Sequence, residues 1–281
     1  MFSKKILLKI NKFFPLPIHP FNLNNQDEKS YAMWQYEKGQ DTIAFFINYA
    51  SAREMFYQKD VLDAACGAAG KSLYYASLGA KKVTGLEILE KYEKEALDLA
   101  KQLGLSSVFE FVAGDAAKMP FKDCSFDTII ANDALEHVDK PFETLKECLR
   151  VLKPNGRLFV NFPPYYHPFG AHLSDAIGVP WAHIFFSDAT LIEAYKELVR
   201  DLPDGQERIA FRFSEKNGRE YMSYINKITL KRFKRILKEL PNPAYYREVP
   251  LRSFFAPLCV IPGIKEMFVK MAVCVFQKEA N

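Results

Sequence analysis

The stretch from Val61 to Gly70 constrains the fold of this chain more than any other. An apolar, strand-like run ends in Asp63, glycines follow at Gly67 and Gly70, and a helix-compatible run opens at Lys71. A strand that turns sharply into a helix through glycines lets a ligand approach the backbone, where helix N–H groups point outward. The stretch therefore predicts a loop that binds a nucleotide-type cofactor, if the rest of the chain supplies a matching context.

Strand-like and helix-like segments alternate across the following hundred or so residues. Strands are predicted at 60–64, 82–87, 107–112, 127–131 and 157–162, and helices at 71–78, 90–103 and 141–152. Two more strands are predicted at 244–249 and 271–277. This order predicts an α/β fold with a doubly wound, mainly parallel, seven-stranded sheet. In such sheets ligands bind at the carboxyl ends of the strands.

The chain is predicted to divide into four parts. These are an N-terminal helical segment and linker (1–52), a cofactor-binding core (53–163), an inserted, aromatic and proline-interrupted cap (164–226), and a C-terminal part of the core sheet (227–281). Within them we expect one helix over 30–52, a helix over 188–199 with Ser187 as its N-cap, and a basic helix over 229–240. Prolines at 15, 17 and 20 predict an extended linker.

Composition narrows the cellular setting and the partners. Five scattered cysteines without a C-x-x-C pattern favour free thiols in a reducing compartment, so we expect a cytoplasmic protein. Residues 1–14 interleave lysines with apolar residues and lack a signal peptide's apolar run. They predict a basic amphipathic helix that packs on its own domain or makes weak contact with an anionic membrane surface. A net charge of +4 is too small to indicate a nucleic-acid partner.

Carboxylates accompany three successive predicted strands. Asp63 and Glu87 end the first two strands, and Asp115 follows the third. Because parallel strands end at one edge of the sheet, these groups are expected to line one cleft. One carboxylate can accept hydrogen bonds from both hydroxyls of a ribose, and Asp115 could accept one from an adenine amine. The ordered set indicates a nucleoside cofactor better than three unrelated helix caps do.

Residues 61–162 resemble the class I S-adenosylmethionine-dependent methyltransferases. The resemblance rests on the motifs Val61-Leu62-Asp63-x-x-Cys66-Gly67-x-x-Gly70, Gly85-x-Glu87, Gly114-Asp115-Ala116, Phe126-Asp127-x-Ile129-Ile130, Leu135-Glu136-His137-Val138 and Lys153-Pro154-x-Gly156. It implies a Rossmann-like fold, S-adenosylmethionine as methyl donor and S-adenosylhomocysteine as product. One departure is Ala65, which stands where the family often has glycine.

The resemblance also implies where the cofactor lies. The loop from Asp63 to Gly70, with Ala65, Cys66 and Gly67, would approach the methionine part, and Glu87 would bind the ribose. Asp115 and the Ala116 amide would read adenine, with Ile88 packed on the ring. Asn132 and His137 would border the methionine part.

The acceptor side is predicted only in outline. If the acceptor is a hydroxyl, a general base helps, and the candidates are His137, His167 and His172. Four residues of the cap are predicted either to wall the acceptor pocket or to form the cap's own core: Tyr165, Tyr166, Trp181 and His183. No metal is expected, because the spacing of the histidines and Asp175 in the cap matches no compact ligand motif. We expect a small-molecule, lipid-linked or glycan-like acceptor, methylated on oxygen by in-line displacement.

Two other functions remain open at this point. A nicotinamide-dependent oxidoreductase would use G-x-G-x-x-G, but Ala65 occupies the first glycine position, and the chain has no Tyr-x-x-x-Lys pair. A catalytically silent module could retain the cofactor fold, although the intact series of carboxylates argues against a degenerate site. Binding of S-adenosylhomocysteine or of NADH would separate these classes.

Overall fold

A computed structural model describes residues 2–16 and 29–280 of the chain. Its helices are α1 (Phe2–Asn11), α2 (Tyr31–Glu37), α3 (Gly39–Ile43), α4 (Ala52–Phe56), α5 (Gly70–Ser77), α6 (Glu93–Gln102), α7 (Pro141–Val151), α8 (Ala182–Phe185), α9 (Asp188–Val199), α10 (Gly205–Arg212) and α11 (Leu230–Leu237). Its strands are β1 (Asp60–Ala64), β2 (Lys82–Glu87), β3 (Phe109–Ala113), β4 (Phe126–Asn132), β5 (Leu152–Phe162), β6 (Phe213–Lys216), β7 (Arg219–Met222), β8 (Tyr245–Pro250) and β9 (Val269–Gln277). Short 3₁₀ helices span Glu90–Tyr92, Ser253–Val260 and Lys265–Phe268.

Seven of the described strands form one sheet in the order β3-β2-β1-β4-β5-β9-β8. Strands β1 to β5 run parallel to one another, and β9 runs antiparallel to both β5 and β8. This confirms the prediction of a mainly parallel, seven-stranded sheet. The strand order reverses between β1 and β4, and that switch point opens a crevice at the carboxyl ends of these strands.

The sheet is buried on both faces, as its continuous apolar strands require. Leu62 of β1 and Ile129 of β4 pack into one layer with residues of α7 and α11. Their neighbours Val61 and Ile130 point to the opposite layer, which contains residues of α5 and α6. The resulting core fixes the strand ends that form the crevice.

The cap (residues 164–226) has an apolar cluster of its own. Buried residues of α9 pack there with Leu7 of α1 and with residues of the β6–β7 hairpin. Asp175 is buried beside two arginines, with Arg208 Nη1 at 3.3 Å and Arg212 Nη2 at 3.1 Å from its carboxylate oxygens. Tyr195 donates a further hydrogen bond to the Asp175 carboxylate at 2.6 Å. These charged contacts join α9, α10 and the loop before them.

Some local predictions are confirmed and one is wrong. Ser187 caps α9 by accepting a hydrogen bond from the Thr190 amide. The single helix expected over 30–52 is broken instead, because the chain leaves helical geometry at Lys38. The following residue, Gly39, lies so close to the Tyr74 ring that a Cβ there would be 2.2 Å from it. Pro17 and Pro20 of the predicted linker lie outside the described residues.

Among the described residues, the helices are all too short or too polar to cross a lipid bilayer.

Candidate active site

A cavity of about 810 Å³ opens at the carboxyl ends of β1, β2 and β4. Helix α2 forms one wall of this cavity, and residues of α10 and of the β6–β7 hairpin in the cap form another. It brings together most of the predicted site residues: Asp63, Ala65, Cys66, Gly67, Glu87, Ile88, Asp115, Ala116, Asn132, His137 and His172.

The loop after β1 turns through left-handed backbone conformations. Ala65, Gly67 and Ala69 have φ angles of 59°, 58° and 58°. Such angles are costly for residues with a Cβ, so the alanine at position 65 is held there by its surroundings. The conformation turns the loop back under the end of β2, where the Cys66 amide donates to the Leu86 carbonyl at 3.0 Å.

Gly70 serves packing and does not line the cavity. A Cβ at this position would lie 1.9 Å from the Ala32 carbonyl oxygen, and the Gly70 amide donates to Gln35 Oε1 at 3.1 Å. Helix α2 is fixed at its start by the Ser30 cap and by Glu95, which accepts from the Ala32 amide at 2.7 Å. The glycine therefore lets α2 lie directly on the cofactor loop.

Glu87 is buried at the end of β2, and backbone amides hold its carboxylate. Its Oε2 accepts from the Gly67 amide at 2.9 Å, and its Oε1 accepts from the Leu89 amide at 3.0 Å. Each carboxylate oxygen can accept more than one hydrogen bond, so both retain capacity for a hydroxyl. The carboxylate is therefore held in a position where it can accept hydrogen bonds from a pair of hydroxyls.

Asp63 is buried beside Glu87 and accepts a hydrogen bond from the Ser72 hydroxyl at 2.6 Å. Burial raises the pKa of Asp63 to about 6; Ser72 and Lys71 lower that pKa, and Glu87 raises it further. A cation placed between Asp63 and Glu87 would favour the ionised carboxylates. This part of the cavity is therefore suited to a positively charged ligand.

Asn132 lies at the end of β4 with an unused acceptor. Its amide nitrogen donates to Asp133 at 2.7 Å, while its Oδ1 is buried without a hydrogen-bond partner among the described residues. Asp133 also pairs with Lys71 at 3.1 Å. A buried acceptor without a partner is costly, so a ligand with an N–H or O–H donor fits this position.

Glu136, His137 and His172 form a cluster on the cavity wall, called here the His–Glu cluster. One side-chain ligand atom from each residue lies within 4.8 Å of the others. His137 Nδ1 is 3.0 Å from the Tyr224 carbonyl oxygen. Because a carbonyl only accepts, Nδ1 carries the hydrogen and Nε2 carries the lone pair in the neutral ring. Burial lowers the pKa of His137, which favours this neutral form.

A sequence profile described as "Methyltransferase domain" matches residues 62–160. A demethylmenaquinone methyltransferase of Listeria monocytogenes is 31% identical over 205 residues, covering 68% of this chain and 85% of the relative. The chain belongs to the class I S-adenosylmethionine-dependent methyltransferases. S-adenosylmethionine is accordingly its methyl donor.

Two further comparisons concern a second sequence relative and a solved structure. A tocopherol O-methyltransferase of Arabidopsis thaliana is 33% identical over 102 residues, covering 36% of this chain and 29% of the relative. The crystal structure of a putative S-adenosylmethionine-dependent methyltransferase from Listeria monocytogenes superimposes with a TM-score of 0.53 at 18% identity. That match covers 86% of this chain and 98% of the other, and it shows the shared fold.

The predicted adenine-binding residues lie after β2 and β3, at one end of the cavity. Asp115 Oδ1 accepts a hydrogen bond from the Ala117 amide at 2.8 Å, which stabilises the turn after β3. Ala116 is buried, whereas Ile88 is 64% exposed where it lines the cavity. Ile88 therefore offers an apolar surface that a flat ring can cover.

Five predicted acceptor-side residues do not line this cavity: Tyr165, Tyr166, His167, Trp181 and His183. They pack within the cap or against the C-terminal part of the chain instead. The His183 and Tyr165 rings lie 4.9 Å apart, His167 Nδ1 accepts from the Phe169 amide, and Trp181 donates to the Met267 carbonyl. Their roles in acceptor binding and catalysis remain predictions that the geometry does not support.

Several cavity residues were not predicted from the sequence: Tyr31, Trp34, Gln35, Lys71, Tyr92, Asp133, Glu136, Phe211 and Tyr224. Tyr31 and Trp34 lie one helical turn apart on α2, and this spacing could have indicated an aromatic face on that helix. Glu136 was noted only as part of a family motif. Phe211 and Tyr224 come from the cap, where the sequence showed no periodicity.

Proposed function

We propose that this methyltransferase transfers the methyl group of S-adenosylmethionine to a hydroxyl oxygen of a small, apolar, lipid-type acceptor. The observation that carries the proposal is that the His–Glu cluster shares one cavity with Asp63 and Glu87. Groups that can activate a hydroxyl thus open into the space that holds groups suited to the donor.

The donor is assigned to the sheet side of the cavity. Glu87 would accept from both ribose hydroxyls, and Asp115 with the Ala116 amide would bind adenine against Ile88. Asp63 and the unpartnered Oδ1 of Asn132 would face the cationic methionine part, which supplies the charge and the donor groups that these atoms lack. The residues present therefore fit S-adenosylmethionine.

The acceptor is assigned to the side of the cavity that α2 and the cap enclose. That side presents aromatic rings: Tyr31 and Trp34 of α2, and Phe211 and Tyr224 of the cap. Aromatic walls favour an apolar or ring-containing compound. The relatives named for demethylmenaquinone and tocopherol support an acceptor of this class.

The reaction needs positioning and one proton transfer. The acceptor oxygen attacks the methyl carbon in line with the carbon–sulfur bond, and the sulfur leaves as a neutral thioether. Enclosure between α2 and the cap orients the two reactants and limits water. The hydroxyl must also lose its proton, and the His–Glu cluster is placed to promote this loss.

The test is a methyl-transfer assay with isotopically labelled donor and a panel of phenols and quinols in detergent micelles. We expect a labelled methyl ether as product. Glu136→Gln should lower kcat at least 100-fold and change the affinity for S-adenosylhomocysteine less than threefold, since activation of a nucleophile contributes about 10²–10⁴. A product methylated on carbon, or full activity in Glu136→Gln, would contradict the proposal.

We also propose that α1 contacts an anionic membrane surface, which is where a lipid-type acceptor resides. Leu7 and Asn11 of α1 are buried against the cap, whereas Phe2 of α1 and Phe13, just after its end, are 79% and 84% exposed. Ile6 and Ile10 extend this exposed stripe. Lys5, Lys9 and Lys12 are exposed beside it, and such a pattern of apolar and basic residues suits anionic headgroups.

Cosedimentation with vesicles tests this contact. The full chain should bind phosphatidylglycerol-containing vesicles and bind pure phosphatidylcholine vesicles more weakly. Replacing Phe2 and Phe13 together by Glu should lower partitioning at least tenfold, because burying each ring contributes about 1.5–3 kcal/mol. Ile47→Glu, at an exposed apolar site outside α1, is the matched control. Equal binding by the double variant would refute the contact.

A further inference from the structure

We propose that the His–Glu cluster binds one divalent transition-metal ion, which holds the acceptor hydroxyl beside the methyl donor. The site is formed by Glu136 and His137 after β4 and by His172 of the cap. All three side chains line the cavity, and their ligand atoms converge within 4.8 Å.

The spacing of the donor atoms suits a metal after small side-chain rotations. His137 Nε2 lies 3.8 Å from Glu136 Oε1, and the His137 and His172 ring centroids are 4.7 Å apart. Ligands at about 2.1 Å from an ion are separated from each other by about 3–3.5 Å. The donor atoms now lie up to 4.8 Å apart, so binding an ion requires them to close by about 1–2 Å through small side-chain rotations.

The environment of Glu136 supports the metal site independently of the spacing of the donor atoms. Its side chain is 4% exposed, and neither carboxylate oxygen has a hydrogen-bond partner among the described residues. Lys71, which acts on it electrostatically, is itself paired with Asp133. A buried carboxylate without partners is costly unless it is protonated or a cation compensates its charge. A bound metal ion supplies that cation.

The surroundings of both histidines favour ligation. His137 donates its Nδ1 hydrogen to the Tyr224 carbonyl, which is the outer hydrogen bond that fixes a metal-ligating imidazole and leaves Nε2 free. His172 has a φ of 53°, a strained conformation of the kind found at functional sites. Three protein ligands leave positions open toward the cavity, as catalytic metal sites require. Two imidazoles and one carboxylate suit ions from Mn²⁺ to Zn²⁺.

These ligands differ from the combination considered in the sequence analysis. Asp175 is bound by Arg208 and Arg212, and His167 and His183 lie outside the cavity. Only His172 belongs both to the cap combination and to the His–Glu cluster. The spacing of histidines within the cap therefore could not predict this site. The partners of His172 come instead from the segment that follows β4.

The role of the ion rests on the proposed function, whereas its binding does not. A metal-bound hydroxyl has a lowered pKa and releases its proton to solvent at neutral pH. The resulting oxygen anion attacks the methyl carbon, the new carbon–oxygen bond forms, and the carbon–sulfur bond breaks to give S-adenosylhomocysteine. No oxidant or reductant is needed.

Titration of the full chain with Mn²⁺, followed by electron paramagnetic resonance, tests the site. Mn²⁺ is chosen because thiolates favour softer ions, and the chain has five cysteines. With S-adenosylhomocysteine present, one Mn²⁺ per chain should bind and show couplings to imidazole nitrogens in pulsed spectra. Glu136→Gln and His172→Asn should each weaken binding at least tenfold, while His183→Asn, outside the cavity, leaves it unchanged.

Calorimetric binding of S-adenosylhomocysteine serves as the folding control for each variant. If the nucleoside binds normally and Mn²⁺ does not bind, or binds equally well in both cluster variants, the metal site is refuted while the donor site stands. Methyl transfer that persists after exhaustive chelation would show that the cluster acts without metal and would also refute the proposal. Loss of nucleoside binding in Glu87→Ala is the separate test of the donor site.

Discussion

Glu87→Ala should weaken binding of S-adenosylhomocysteine by about 100-fold or more. Both carboxylate oxygens are assigned to the ribose hydroxyls, and a hydrogen bond to a charged group contributes about 1.5–3 kcal/mol. The same oxygens hold the amides of Gly67 and Leu89, so the substitution also loosens the cofactor loop. Glu87→Gln keeps one side-chain oxygen and should give an intermediate loss.

Isothermal titration calorimetry of the purified chain measures this effect. Glu110→Ala is the matched control, because Glu110 lies on the adjacent strand β3, pairs with Lys82 and Thr84, and does not line the cavity. Its affinity should stay within twofold of the parent value. If Glu87→Ala also stays within threefold while its thermal transition is unchanged, the ribose assignment is wrong.

The core of the fold was predictable because its signals are local. The strands are short apolar runs buried on both faces, and the carboxylates at their ends reach one edge as a consequence of parallel pairing. Ser187 could be identified as a helix cap because the capping interaction spans three residues. The donor side of the cavity could be predicted from such local features, because its residues lie at the carboxyl ends of the predicted strands.

The acceptor side was not predictable because its signals are long-range. Helix α10 packs through Arg208 and Arg212 against Asp175, which lies more than thirty residues earlier in the chain. No periodic pattern in the sequence predicts that contact. The His172 ring packs edge-to-face against the His137 ring, and no sequence pattern links two residues that lie this far apart along the chain. Helix α2 reaches the site only because Gly70 permits its approach, which becomes visible once both elements are placed.

Because of that close approach, Gly70→Ala should lower the free energy of unfolding by about 2–4 kcal/mol. A Cβ would meet the Ala32 carbonyl oxygen at 1.9 Å and the Tyr36 amide nitrogen at 2.7 Å. These are backbone atoms of α2, so the whole helix must shift. Overpacking costs about 1–3 kcal/mol, and loss of the Gly70–Gln35 hydrogen bond adds about 1 kcal/mol.

Urea denaturation of Gly70→Ala and Gly104→Ala distinguishes two causes of lost stability. One is steric overlap of the added Cβ, and the other is the strain of alanine at a positive φ. Gly104 has a φ of 70° with open space around it, so alanine there costs about 1 kcal/mol through conformation alone. Gly70 lacks that strain and should nevertheless lose more. Because α2 lies directly on the cofactor loop, the shift should also weaken binding of S-adenosylhomocysteine. If Gly70→Ala proves as stable as Gly104→Ala, helix α2 does not depend on this contact, and its place in the active site needs another cause.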